Sequence, residues 1–175
     1  MKIISTLGPS TINKKFLNFA SSEIDLIRLN MSHLSIEKLK ENIKVIKKNC
    51  STPICIDTEG AQIRTKVKKT KDYKKGALIV IVETKGNFTL YPSNIFKSLK
   101  VNDILNIGFD GLLVKIIKNK KQVIAKVIRS GRLENNKGVH IENRKIKLEF
   151  LTNKDFQAIE IGKKYDIKNF ALSFT

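Results

Sequence analysis

The first 64 residues place polar, chemistry-bearing side chains at the ends of three short apolar runs. Ser5-Thr6-Leu7-Gly8-Pro9-Ser10 follows the apolar pair at 3–4, and Arg28-Leu29-Asn30-Met31-Ser32-His33 closes the run at 24–29. Asp57-Thr58-Glu59-Gly60-Ala61-Gln62-Ile63-Arg64 follows the run at 54–56. Arg28 and Arg64 offer planar donors matched to phosphate oxygens. Asp57, the hydroxyls of Ser32 and Thr58 and the amide of Asn30 are hard oxygen ligands suited to a cation. Positioning and charge neutralisation of this kind are what phosphoryl transfer requires. Each group also has an ordinary structural reading, since a lone arginine is commonly a surface ion pair and an Asp-Thr pair a turn or cap. Recurrence at three successive strand ends favours a shared anion site.

Those clusters need elements to hold them. Continuous apolar runs alternating with helical segments read as buried parallel strands of an α/β sheet, where chemistry gathers at the C-terminal strand ends. Residues 1–65 read β-α-β-α-β. A short helix is predicted over 13–22 and a second from Ser35 to about Lys48, with Ile36, Leu39, Ile43 and Ile46 on one face. Asn49 and Pro53 then end that helix and open the third strand. Residues 66–149 lose the helical period and read as strands at 77–82, 104–107, 111–117 and 122–128, with a turn at Asn119-Lys120. After Leu151 the first pattern returns. Thr152 and Asp155 form a capping-box pair, Gly162 is a plausible stop, and 170–174 reads as a fourth strand. The expected organisation is a barrel-type α/β domain at 1–65 and 150–175, interrupted by an all-β domain at 66–149.

Composition narrows the partners. The net charge is +18, and 29 lysines against 5 arginines suggest a genome-wide bias more than selected phosphate contacts. The insert at 66–149 carries +13 of that charge. The lysines are scattered without aromatic interleaving, which argues against a nucleic-acid binder. No run of apolar residues is long enough to span a membrane. Cys50 and Cys55 are too few for a disulfide framework or a metal site, and a cytoplasmic protein with reduced thiols is expected.

The three strand-end motifs, in this order and spacing, resemble the first barrel-strand motifs of the pyruvate kinase family. The insert resembles that family's β-barrel cap, with Asp110-Gly111-Leu112 and Lys137-Gly138-Val139 at matching places. Leu151-Thr152-Asn153-Lys154-Asp155 and Ala171-Leu172-Ser173-Phe174 look like the return into the barrel. The resemblance implies a partial TIM (β/α)8 barrel of about four strands with an inserted all-β barrel. It implies phosphoryl transfer from phosphoenolpyruvate to ADP, giving pyruvate and ATP. Arg28 would hold the phosphoryl group, and Asn30, Ser32, Asp57 and Thr58 would coordinate potassium. Asn30, Ser32, His33 and Arg64 would lie against nucleotide phosphates, with Lys137 reaching from the cap. A core role for His33 stands beside that one, and His140 is assigned to structure.

The sequence departs from the family pattern at several places. Glu59-Gly60-Ala61-Gln62 replaces Lys-Gly-Pro-Glu, and the acidic position held here by Gln62 goes with potassium dependence in the family. His140-Ile141-Glu142-Asn143 replaces the family's Asn-Leu-Pro-Gly after the cap. The resemblance covers all 175 residues but only about the first third or more of a family member. The catalytic lysine and the carboxylates that hold Mg²⁺ belong to later strands, so the 175-residue chain alone is expected to be inactive. Full-length family members are typically homo-oligomeric. Two other readings stand beside this one. One is a non-catalytic relative that binds phosphorylated ligands or polyanions. The other is a different metal-dependent enzyme on the same barrel.

Overall fold

A computed structural model describes residues 1–108 and 111–174. Asp110, singled out in the cap motif, lies outside the described residues. In chain order the first elements are β1 (Ile4–Thr6), α1 (Lys14–Glu23), β2 (Leu26–Asn30), α2 (Ile36–Asn49) and β3 (Ile54–Asp57). Then come β4 (Ile63–Val67), β5 (Lys71–Tyr73), β6 (Leu78–Ile81), β7 (Phe88–Tyr91) and α3 (Ile95–Ser98). They are followed by β8 (Ile104–Ile107), β9 (Leu112–Asn119), β10 (Val123–Arg129), β11 (Gly131–Leu133) and β12 (Gly138–Ile141). The chain closes with α4 (Asn153–Lys164) and β13 (Asn169–Ala171). It divides into two compact units, Met1–Ala61 with Glu149–Thr175, and Gln62–Leu148.

The first unit is half of a (β/α) barrel. Its four strands run parallel in the order β1-β2-β3-β13, with Thr6 beside Arg28, Asn30 beside Asp57 and Asp57 beside Ala171. Among the described residues β1 and β13 are the edges of this sheet. Helix starts follow from side-chain caps. Asn13 accepts from the Phe16 amide at 3.0 Å and Ser35 from that of Lys38 at 3.2 Å. The Thr152–Asp155 capping box forms as the sequence predicts. Glu37 in the first turn of α2 and Lys47 and Lys48 in its last suit the helix dipole. The helices bury Leu17, Leu39, Ile43, Ile46, Ala158 and Ile161 against Ile27, Leu29 and Ile56 of the sheet. Alternation along β2 then leaves Arg28 and Asn30 out of that helix-facing row.

Gly162 does not end α4, which continues to Lys164. A Cβ at Gly162 would come within 2.8 Å of the Phe170 ring and 2.9 Å of Ile56 Cδ1, so this glycine lets the helix approach the sheet. The fourth strand is shorter than expected, ending at Ala171. Beyond it Ser173 turns its backbone N–H and hydroxyl onto Thr58 and Asp57.

The second unit is a seven-stranded sheet in the order β6-β10-β9-β8-β12-β4-β7. The Val82 amide donates to Phe88 O at 3.1 Å, which joins the two ends of that order and curls the sheet nearly closed. β5 and β11 form a separate ribbon. The interior is aliphatic, built on Ile79, Ile81, Leu105, Val114, Ile116 and Val123 with Phe88. β4, β5, β7, β11 and β12 were not foreseen from the sequence. They are three to five residues long, too short for an apolar period to stand out.

Candidate anion and nucleotide site

At the C-terminal ends of β1, β2 and β3, one network joins most of the residues singled out above. The Arg28 guanidinium donates through Nη1 to Thr6 Oγ1 at 2.9 Å and pairs through Nη2 with Asp57 Oδ2. Asp57 is buried, and its other oxygen accepts from the Ser173 hydroxyl at 2.7 Å. Thr58 Oγ1 accepts from the Ser173 amide at 3.0 Å, and the Thr58 amide donates to Ala171 O at 2.9 Å. Arg28 has five N–H groups, of which these contacts use two. Its side chain is 34% exposed, so donors remain open to an anion. Burial, and next the Asp57 carboxylate, push the Cys55 thiol up from its ordinary range.

The loops behind these strand ends are tied down from α4. Asp155 is fully buried, and its carboxylate accepts from the amides of Glu59 at 2.7 Å and Gly60 at 3.2 Å. The same carboxylate accepts from the Thr152 amide and hydroxyl, both at 2.9 Å. Lys154 Nζ donates to Met31 O at 2.6 Å and to Glu59 Oε2 at 2.8 Å. The loop after β2 and the loop after β3 are thus fastened to one helix start. Gly60 has φ +71°, a left-handed conformation, and a Cβ there would sit 1.9 Å from Ser173 O.

Beside this network lies a cleft of about 790 Å³ between the β1–α1 loop and α2. Thr6 and Asn30 belong to its lining, so it adjoins the Arg28 cluster directly. His33 lines it too, which places this residue at the cleft. Asn30 Oδ1 accepts from the Ser32 amide at 2.9 Å and shapes the turn after β2.

Arg64 and Lys137 belong to the second unit. Expected at the end of a barrel strand, Arg64 instead lies on β4 of the all-β unit, opposite Gly138 of β12. Its Nη1 donates to Asn136 O at 3.3 Å. Lys137 is close by, its amide donating to Thr65 Oγ1 at 2.8 Å while its Nζ is 3.2 Å from Glu134. Arg28, Asn30, Asp57 and Thr58 belong to the first unit, and Arg64 and Lys137 to the second.

The sequence matches the family model described as pyruvate kinase, barrel domain, over residues 1–175. The chain belongs to the pyruvate kinase family. A pyruvate kinase of Buchnera aphidicola subsp. Schizaphis graminum is 33% identical over 99% of this chain and 39% of its own length. One from Staphylococcus epidermidis is 30% identical over 99% of this chain and 32% of its own. The crystal structure of Cryptosporidium parvum pyruvate kinase superposes with a TM-score of 0.89 at 25% identity, covering 99% of this chain and 40% of that one. The chain thus spans about a third of the length of the curated relatives it matches.

Several residues of this network and cleft carried no assignment from the sequence. Thr6 and Ser173 lie in motifs already noted, but only the fold shows them gripping Arg28 and Asp57. Asp155 reads locally as half of a capping box, and its bonds to Glu59 and Gly60 span more than 90 residues of chain. Asn42 lines the cleft as well. It follows Leu39 by three residues and precedes Ile46 by four, so a polar residue inside the apolar stripe was the available signal.

Proposed function

We propose that this chain supplies the phosphoenolpyruvate-binding and nucleotide-binding part of phosphoryl transfer from phosphoenolpyruvate to ADP, giving pyruvate and ATP. The observation that carries the reading is the Arg28 guanidinium, aimed by Thr6 and Asp57 at the strand ends with N–H donors to spare. Arg28 holds the phosphoryl group, and buried Asp57 keeps the guanidinium from swinging out toward water. Asn30, Ser32 and His33 take the nucleotide phosphates along the cleft mouth.

The oxygens of Asn30, Ser32, Thr58 and Asp57 form a hard donor set that fits a monovalent cation such as potassium. When bound, that cation supplies positive charge beside the phosphoryl oxygens. Among the described residues no three or more His, Cys, Asp or Glu are grouped so as to hold a metal ion. These residues do not fit Mg²⁺, and no step through it is assigned to them. Both cysteines are free. No helix of the described residues is long and apolar enough to cross a membrane.

Equilibrium binding of phosphoenolpyruvate to the purified chain tests the reading. Arg28→Ala is expected to weaken binding at least ~10-fold, the loss of one charge-assisted contact to phosphate. Binding that survives Arg28→Ala and collapses as salt is raised would favour the polyanion-binding alternative, since diffuse charge contacts are screened.

A further inference from the structure

The all-β unit turns part of its apolar sequence outward. Along β6, β9 and β10 one row of side chains, Ile79, Ile81, Val114, Ile116, Val123 and Ala125, fills the interior. Side chains alternate along a strand, so the residues between them stand on the outer face. These are Leu78, Val80, Ile117 and Ile124, together with Lys115, Lys118 and Lys126. Leu78 is 59% exposed, Val80 43% and Ile117 46%. Strand register makes them neighbours. Val80 lies beside Ile124, and Leu78 beside Lys126, across β6 and β10. Ile124 lies beside Lys118 across β10 and β9, where a register shift leaves Ile117 as an extra residue. Single exposed aliphatics are ordinary, but a contiguous set marks a contact surface.

The charge on this face has one sign. Leu78–Ile81, Leu112–Asn119 and Val123–Arg129 hold no acidic residue. Lys126 stands directly opposite Lys115, and like charges so placed repel. Lysines that do pair with a carboxylate, such as Lys97 with Glu83 and Lys137 with Glu134, lie off these strands. Lys120 and Lys121, exposed between β9 and β10, carry the positive rim past the end of the patch. Aliphatic groups set among such ammonium groups fit a partner that is both apolar and anionic. A second copy of this chain would bring lysine against lysine. Nucleic acid would answer the charge but not the aliphatics, and these strands offer no aromatic ring for a base to stack on. A stable protein partner covers about 800 Å² on each side. Three strands ~4.8 Å apart and about four residues long present roughly 200 Å². The outside of a curled sheet is also convex, without the groove that a helix would need.

We propose that the outer face of β6, β10 and β9 is a docking surface for an anionic lipid membrane, on which the chain lies without spanning it. Leu78, Val80 and Ile117 dip into the boundary between headgroups and acyl chains, and Lys115, Lys118 and Lys126 meet the lipid phosphates. Lysine suits this task, because its stem packs on apolar surface while its charge reaches the headgroups. Acidic lipid also relieves the repulsion between Lys115 and Lys126.

The test is co-sedimentation of the purified chain with vesicles at about 0.15 M salt, where distant charges are screened. One set of vesicles is phosphatidylcholine mixed with phosphatidylglycerol, the other phosphatidylcholine alone. The native chain is expected to pellet with the first and to stay in solution with the second. Leu78→Ser combined with Ile117→Ser is expected to bind the acidic vesicles at least ~10-fold more weakly, since two aliphatic groups are withheld from the boundary. Lys118→Ala combined with Lys126→Ala is expected to bind about 30-fold more weakly. Lys40→Ala combined with Lys44→Ala removes the same charge from exposed positions of α2 and is expected to leave binding within about 2-fold of native. All six positions are exposed, so the fold is kept in every variant. Failure of the native chain to bind acidic vesicles would overturn the proposal. Undiminished binding by the Leu78→Ser, Ile117→Ser chain would overturn it as well, by reducing the contact to charge alone. An equal loss from the α2 pair would do the same, by reducing it to net charge. A dimer in gel filtration that disappears in the Leu78→Ser, Ile117→Ser chain would place a second copy on this face and also overturn it.

Discussion

Replacing Asp155 by alanine should do more damage than any other single change at the strand ends. The carboxylate accepts four hydrogen bonds, from Glu59 N, Gly60 N, Thr152 N and Thr152 Oγ1. Loss of the capping box alone is worth about 1 kcal/mol. Each of the Glu59 and Gly60 amides, left unpaired in a buried setting, adds about 1–3 kcal/mol. A total of about 3–7 kcal/mol is a large part of a stability of about 5–15 kcal/mol. Circular dichroism at 222 nm during urea unfolding is the assay. It reports on the barrel unit, because α1, α2 and α4 lie there while the all-β unit has only the four-residue α3. With a slope of about 1–3 kcal/mol per molar urea, the midpoint should fall by at least about 1 M. Asp155→Asn keeps the size and one acceptor oxygen but turns an NH₂ toward donors, so its loss should lie between native and alanine. A destabilisation below about 1 kcal/mol for Asp155→Ala would refute the reasoning, since it would mean the two amides find water or another partner.

Two further outcomes follow from the same network. Gly60→Ala should cost at least about 3 kcal/mol, since it combines a left-handed backbone with a Cβ driven into Ser173 O, and urea unfolding at 222 nm checks it. The cysteines should titrate apart. Burial pushes the Cys50 thiol up, but hydrogen bonds from Ser21 and at Thr52 outweigh it and hold the thiol below its ordinary range. Cys55 is raised by burial and Asp57. Thiolate therefore forms at lower pH on Cys50, and at about pH 8 alkylation followed by mass spectrometry should label Cys50 first. Equal labelling of Cys55 in the folded chain would contradict this.

Local signals carried the parallel half-barrel well. The stripe on α2, the caps at Ser35 and Thr152, and the apolar runs ahead of Arg28 and Asp57 are short-range features, and each appears where the residues put it. Gly162 was misread because a glycine near a helix end looks like a stop, while its use is a close approach to Phe170 and Ile56. The strands of the all-β unit were read least well. β4 and β12 are specified by pairing with each other and with β7 and β8, and such partners cannot be seen from within one segment.

By itself the sequence determined which residue types stand at the strand ends, and hence the family resemblance they carry. Only the tertiary structure decided which of them act as a group. Arg28, Thr6, Asp57 and Ser173 meet because three parallel strands and the turn after a fourth end at the same level. Arg64 belongs to the second unit, where β4 pairs with β12 and β7. Hydrogen bonds and burial link residues far apart in the chain, so the fold alone can assign them.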